Sequence, residues 1–323
     1  MPRPAVYYAL LTITMAIWGG GWVAKKILVS VVTPFTAGFL RFAIGGMLLG
    51  ALLLAKRDLP QKPVNWSLTK LILVIGTLGI FVYATLEFVG VALATAVQGS
   101  IIDGFCPTSI ALFAILMHGE RFSNKWKYLG FPVSFLGVLF VVGIQALVDF
   151  RPEYFVGDLV LLAGAFLWGF YSSLVKYGVR FTSPFKLTTG AVVVGATLFG
   201  ISSFLEGSFS TITALDSTVW FCAFYLGAGS TFVGFVIYYS GIKSLGATRA
   251  GIFLNLVPVF GTVFSVLVLS EQVYITFILG LFLVVLGVAM ISLPEKKPQS
   301  SGPDSHAQPH FTASVPPNHD ENP

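Results

Sequence analysis

The amino-acid sequence predicts an all-α integral membrane protein, with ten transmembrane helices arranged as two inverted five-helix repeats. Three observations predict it. First, 55% of the 323 residues are apolar and 10% are charged, with a mean hydropathy of +0.85. A soluble domain carries about 25% charged residues and has no core that could bury this much apolar side chain. Second, apolar stretches long enough to cross about 30 Å of hydrocarbon recur ten times. Third, the second half of the sequence repeats the first at an offset of 150 residues.

The predicted spans are 6–29, 35–55, 69–93, 96–117, 126–147, 157–176, 184–205, 218–241, 247–270 and 273–293. The first has an apolar stretch of about 20 residues, longer than a signal-peptide core, so it is expected to be retained. The third and fourth form a hairpin with almost no loop, turning near Ala94–Thr95. Each arm carries one acid, Glu87 and Asp103, and each acid lies eight residues from Thr95. At 1.5 Å per residue, both sit about 12 Å from the turn, at matching depth near mid-bilayer. Pro107 interrupts the second arm. The spans group into repeats at 1–147 and 148–293. Residues 294–323 are rich in Pro, Ser, Asn and Gln and lack periodicity, so they read as a disordered cytoplasmic tail. His306, His310 and His319 are read as solvated rather than metal-binding.

The duplication is ordered along the chain. Trp18-Gly19 and Lys26 recur as Trp168-Gly169 and Lys176, and Thr33-Pro34-Phe35 as Ser183-Pro184-Phe185. Gly90, Pro107 and Glu120 recur at an offset of 151 as Gly241, Pro258 and Glu271. Leu136-Gly137-Val138 returns as Leu286-Gly287-Val288. Such a series including Trp, Lys, Pro and Glu marks an internal repeat. Five spans per copy is an odd number, so the second copy enters the membrane upside down. Inverted repeats are the architecture of alternating-access transporters, with the site at the repeat interface near the midplane.

Placing the N-terminus inside puts 15 of 19 Lys and Arg residues on inner segments and three, Lys25, Lys26 and Arg151, on outer ones, with Arg41 inside a span. The positive-inside rule then makes both termini cytoplasmic. The short loops suit a bacterial inner membrane.

An ionised group inside a membrane costs at least about 2.5 kcal/mol by insertion scales and normally faces a partner or a watery cavity. Glu87 and Asp103 are therefore candidates for substrate binding or proton coupling. The competing reading is a structural pair with Arg41, Lys or backbone partners. Tyr238 occupies the place of Glu87 in the second repeat, and Leu254, with Asn255 beside it, that of Asp103. Tyr238, Asn255 and Gln98 are candidate polar cavity groups, or else interhelical hydrogen-bonding residues. Trp18 and Trp168 fall at equivalent depths and are candidates for an aromatic wall. Gly20, within Gly19-Gly20-Gly21, is a candidate hinge or a site of close helix packing. Pro107 and Pro258 each remove a helix hydrogen bond and permit movement or a static kink. Lys26 and Lys176 fall at opposite faces, where they anchor gates or snorkel to the interface. Glu120 and Glu271 are expected at helix ends.

The pattern W-G-x(6)-K at Trp18–Lys26, the LRF at Leu40–Phe42, Pro107 followed by HGER at His118–Arg121, and the LG-containing fifth span resemble the EamA-type members of the drug/metabolite transporter superfamily. The second half repeats the pattern, so the resemblance covers residues 10–292. It implies a central cavity lined mainly by helices 1, 3, 4, 6, 8 and 9. It also implies transport, outward or inward, of a small metabolite or drug such as an amino acid. The sequence departs from the usual pattern at the glycine-rich 19–21 and in HGE and SEQ where LGE is commoner.

The alternatives are a polytopic membrane enzyme and a membrane scaffold or sensor. No HExxH, GxSxG, CxxC or acidic DxxD run supports catalysis, and Cys106 and Cys222 lie in apolar runs. No cofactor, metal or nucleic-acid partner is expected. The expected partners are a small-molecule substrate and the lipid bilayer, with the oligomeric state left open.

Overall fold

A computed structural model describes residues 4–56, 66–122, 124–144, 151–179 and 181–292. The tail 294–323 lies outside the described residues. Among these residues every regular element is helical.

Ten helices are long and apolar enough to cross a membrane: α1 (Ala5–Val29), α2 (Pro34–Ala55), α3 (Trp66–Leu93), α4 (Ala96–His118), α5 (Lys125–Val142), α6 (Pro152–Gly178), α7 (Pro184–Leu205), α8 (Ser217–Leu245), α9 (Arg249–Leu269) and α10 (Ile275–Ser292). The expected spans coincide with these helices, with ends displaced where local signals dominate. Pro152 at the first position and Glu153 in the first turn start α6 five residues earlier than hydropathy alone suggests. Thr33 and Ser183 cap α2 and α7 through side-chain bonds from the Thr36 and Lys186 N–H groups. Large apolar side chains such as Leu205, Phe221 and Leu267 stand at least 70% exposed, as a lipid-facing surface requires.

Regular helix is broken at repeated places. α3 widens to π geometry over Gly76–Val82 and α8 does so over Tyr225–Val233. α4 turns at Gly104–Phe105 ahead of Pro107, and a 3-10 turn at Phe253–Asn255 precedes Pro258. Neither proline has an N–H, so the carbonyls of Asp103 and Leu254 lose their helical donors.

The duplicated residues explain the packing. A Cβ on Gly130 would lie 2.6 Å from the Gly287 carbonyl oxygen, and one on Gly137 would lie 2.7 Å from that of Gly280. The two Leu-Gly signatures thus cross α5 and α10 at backbone contact, the close approach that small residues give in membranes. Gly19 does the same for α1 against α9, where its Cβ would meet the Gly261 nitrogen at 2.7 Å.

α1 and α6 run in opposite directions. Lys26, near the end of α1, reaches the carbonyls of Val91, Ala92 and Ala94 at the end of α3. Gly157, near the start of α6, packs against the same Ala94. Equivalent helices of the two repeats therefore meet one turn with opposite polarity, as an inverted repeat demands.

Candidate functional site

A cavity of about 270 Å³ lies between the two halves. Besides helices 1, 3, 4, 6, 8 and 9, α2 contributes Arg41 and Phe42 to its lining, and α7 contributes Leu187 and Thr188. Both π segments reach it, through Gly79 and Ile80 on one side and Ser230 on the other. Pi-bulges often occur at functional positions because the extra residue redirects side chains.

Glu87 stands at the centre of the charge network, 6% exposed. Its Oε1 accepts from Lys25 Nζ at 2.5 Å and from the Tyr83 hydroxyl at 3.0 Å, while its Oε2 accepts from Arg41 at 3.4 Å. Lys25, 5% exposed, also lies 3.5 Å above the Trp22 ring. Arg41 uses a second donor, Nε, on Thr231 at 3.4 Å. A guanidinium has five N–H donors, of which two have partners among the described residues; the group also lies 4.8 Å from the centroid of the Phe42 ring, and both residues line the cavity.

Asp103 is placed differently. Its Oδ1 accepts from the Cys106 thiol at 3.2 Å and lies 3.3 Å from the Tyr83 hydroxyl, whose single proton it shares with Glu87. Both donors are neutral, and among the described residues Asp103 forms no ion pair. The cavity thus offers one carboxylate without a cation and one guanidinium with open donors.

Aromatic rings enclose these charges. Trp18 packs on Tyr238 with centroids 5.2 Å apart, and its Nε1 donates to the Ser230 carbonyl at 2.9 Å. Trp168 packs on Tyr83 at 4.7 Å and on Tyr171 at 4.9 Å. The repeat-related tryptophans thus each rest on the opposite half, and the phenol of Tyr83 joins the aromatic wall to both acids.

The structure brings Glu87, Asp103, Trp18, Trp168, Tyr238 and Pro107 to the cavity. Other candidates lie elsewhere. Gln98 is 1% exposed, closes a capping box with Thr95 and donates to Asp158 Oδ2 at 2.9 Å. Asn255 sits at the start of the α9 proline segment, and its neighbour Leu254 takes the lining position. Gly20 abuts the Tyr225 ring, whose hydroxyl donates to the Ile17 carbonyl, and Pro258 is buried behind Val257. Lys26 and Lys176 stand at opposite ends, the first on the α3 carbonyls and the second in an ion pair with Glu120. Glu271 accepts from the N–H groups of Ala96 and Val97.

Charge counting assigns Lys25 to the outer loop, but the structure places it inside α1. Helical spacing carried the missed signal: Trp18, Trp22 and Lys25 stand at i, i+4 and i+7 on one face. Tyr83 was missed because a tyrosine in an apolar span has no pattern of its own, although it lies one turn before Glu87.

The family model described as the EamA-like transporter family matches the chain twice, over residues 5–143 and 155–293. The uncharacterised transporter YyaM of Bacillus subtilis is 26% identical over 83% of this chain and 87% of its own length. An aromatic amino acid exporter, YddG, of Ancylobacter novellus is 26% identical over 73% of this chain and 79% of its own. A solved crystal structure shares the fold with a TM-score of 0.62 at 22% identity, covering 90% of this chain and 98% of that one. With ten membrane-spanning helices, and with the family model matching both halves of the duplication, the chain belongs to the EamA-like transporter family.

Proposed function

We propose that this transporter carries a small zwitterionic metabolite bearing an apolar or aromatic group, an amino acid being the simplest case. It does so across a bacterial inner membrane by alternating access. The observation that carries the reading is the cation-free Asp103 beside the open donors of Arg41, inside an aromatic-walled cavity. A substrate ammonium supplies the counter-charge that Asp103 lacks. A substrate carboxylate takes the fork of Arg41, whose planar donors suit it. The rings of Trp18, Trp168 and Tyr238 then bury the remaining apolar group. A volume of about 270 Å³ suits a small metabolite, since ligand pockets begin at roughly 300 Å³. The Ancylobacter relative, an aromatic amino acid exporter by name, supports the same class of cargo.

In this reading the halves 1–147 and 148–293 rock against each other about the cavity. The distribution of Lys and Arg supports cytoplasmic termini. Lining from late α6 and early α7, Ser172, Val175 and Thr188, then extends the cavity toward the cytoplasm.

Ligand-induced thermal stabilisation of the purified protein tests the cargo class, because a ligand at 100 times its Kd stabilises by about 2.7 kcal/mol. Aromatic and branched amino acids should raise the melting temperature. Their decarboxylated amines and deaminated acids should do so at least tenfold less effectively by concentration. Equal stabilisation by amine, acid and zwitterion would refute two-point charge recognition.

A further inference from the structure

The α3–α4 turn is gripped from two sides. Lys26 Nζ donates to the carbonyls of Val91 at 2.8 Å and Ala94 at 2.6 Å, closing off the end of α3. From the second repeat, Glu271 accepts the Ala96 N–H at 2.9 Å and the Val97 N–H at 2.8 Å, capping the start of α4. A lysine of one repeat and a glutamate of the other thereby satisfy both ends of a helix break, where backbone groups otherwise lack partners.

The internal repeat contains a second copy of every part. Lys26 maps to Lys176 and Glu271 to Glu120. At the offset of 151, the gripped residues 91–97 map to 242–248. Among the described residues, neither Lys176 nor Glu120 bonds to this second turn. Lys176 and Glu120 pair with each other instead, each side chain 49% exposed. The turn has also lost its own caps: Thr95 and Gln98, which form the capping box of the first, are replaced by Gly246 and Arg249. Gly246, at φ 89°, provides no side-chain cap for the helix starting at Ala247.

We propose that the α8–α9 turn is the second receptor of a two-ended clamp. In the alternate state, Lys176 moves onto the carbonyls of residues 242–245 and Glu120 onto the N–H groups of Ala247 and Thr248, while Lys26 and Glu271 release the α3–α4 turn. The Lys176–Glu120 pair holds the idle members of the clamp. An exposed pair of this kind contributes little, so leaving it costs little. Each clamp joins a helix from one half to a turn closed by the other half's glutamate, so engaging one end seals that end. The inference rests on the alternating-access reading.

Oxidative crosslinking of the full chain in membranes tests it, with the buried native Cys106 and Cys222 left in place. A disulfide needs Cα atoms within about 7 Å. The pair Glu120→Cys with Ala247→Cys reports the clamp. The pair Val179→Cys with Leu245→Cys reports closure of the same end, because its counterparts Val29 and Ala94 belong to one apolar cluster at the gripped end. The proposal expects both pairs to crosslink. It also expects Glu271→Gln, which removes the charge from the engaged cap, to raise the 120–247 rate about tenfold. If 179–245 crosslinks and 120–247 does not, the end closes without the clamp, and the clamp is overturned. If neither pair crosslinks, alternating access itself falls and the clamp with it. An unchanged 120–247 rate in Glu271→Gln overturns the reciprocity between the two ends.

Discussion

Replacing Lys25 by Met should strand Glu87. The ammonium lies 2.5 Å from Oε1, and the two residues are 5% and 6% exposed, so solvent compensates its loss only weakly. Removing one member of a buried pair typically costs about 3–5 kcal/mol. Arg41 at 3.4 Å and the Tyr83 hydroxyl at 3.0 Å remain, which places this case near the lower end, about 3 kcal/mol. At about 2.1 cal/mol/K per residue, 1 kcal/mol shifts the midpoint of a chain of 323 residues by about 1.5 °C, so Lys25→Met should melt about 4–5 °C lower. Tryptophan fluorescence of detergent-solubilised protein during heating gives the readout. Glu87→Gln should be costly for the reciprocal reason, since it leaves Lys25 uncompensated. The double variant should cost less than the sum of the two by about 1–3 kcal/mol, the coupling of groups in contact. A melt of Lys25→Met within about 2 °C of the parent, with the double variant additive, would refute the buried network.

Asp103→Asn removes charge but keeps hydrogen-bond acceptance from Tyr83 and Cys106, so stability should hold while substrate KM rises at least tenfold. Protons and the substrate ammonium compete for the parent's carboxylate. Affinity should therefore weaken toward acid pH by at most about tenfold per unit, and this dependence should flatten in Asp103→Asn binding titrations. Gly137→Val should cost about 3 kcal/mol, measured by the same melt, because its Cβ would meet the Val284 nitrogen at 2.6 Å and backbone cannot rotate away. Trp18→Ala should weaken binding of aromatic more than of small aliphatic substrates, and Trp18→Phe should restore most of the difference in competition assays.

Much of the fold is legible because bilayer physics leaves few options. Helix length, the Lys and Arg pattern and the ordered Trp, Pro, Gly and Glu repeat together specify ten crossing helices and the inversion. Gly137 and Gly287 even announce the α5–α10 contact in their shared Leu-Gly-Val frame. The site is less legible. The depth of Glu87 and Asp103 follows from counting residues from Thr95, but azimuth does not. Gln98 lies eleven residues from Glu87 and turns instead to Asp158 and the capping box. Lys25 and Lys26 are neighbours in sequence with opposite fates, one facing Glu87 and one the α3 carbonyls. A one-residue step rotates a side chain by about 100° about the helix, which hydropathy does not resolve. Asp158, 1% exposed with Oδ1 unpartnered, has no counterpart acid in the first repeat, where Tyr8 stands, so the duplication did not flag it.

Uptake of labelled aromatic and branched amino acids into liposomes holding the purified protein tests the central claim most directly. The comparison is between the parent, Asp103→Asn and Arg41→Gln, with polyamines, nucleosides and sugars in parallel. The account predicts saturable uptake of the zwitterions by the parent, loss of at least nine-tenths of that uptake in each variant, and no comparable uptake of the other classes. Equal uptake by parent and both variants, or uptake confined to sugars or nucleosides, would contradict it.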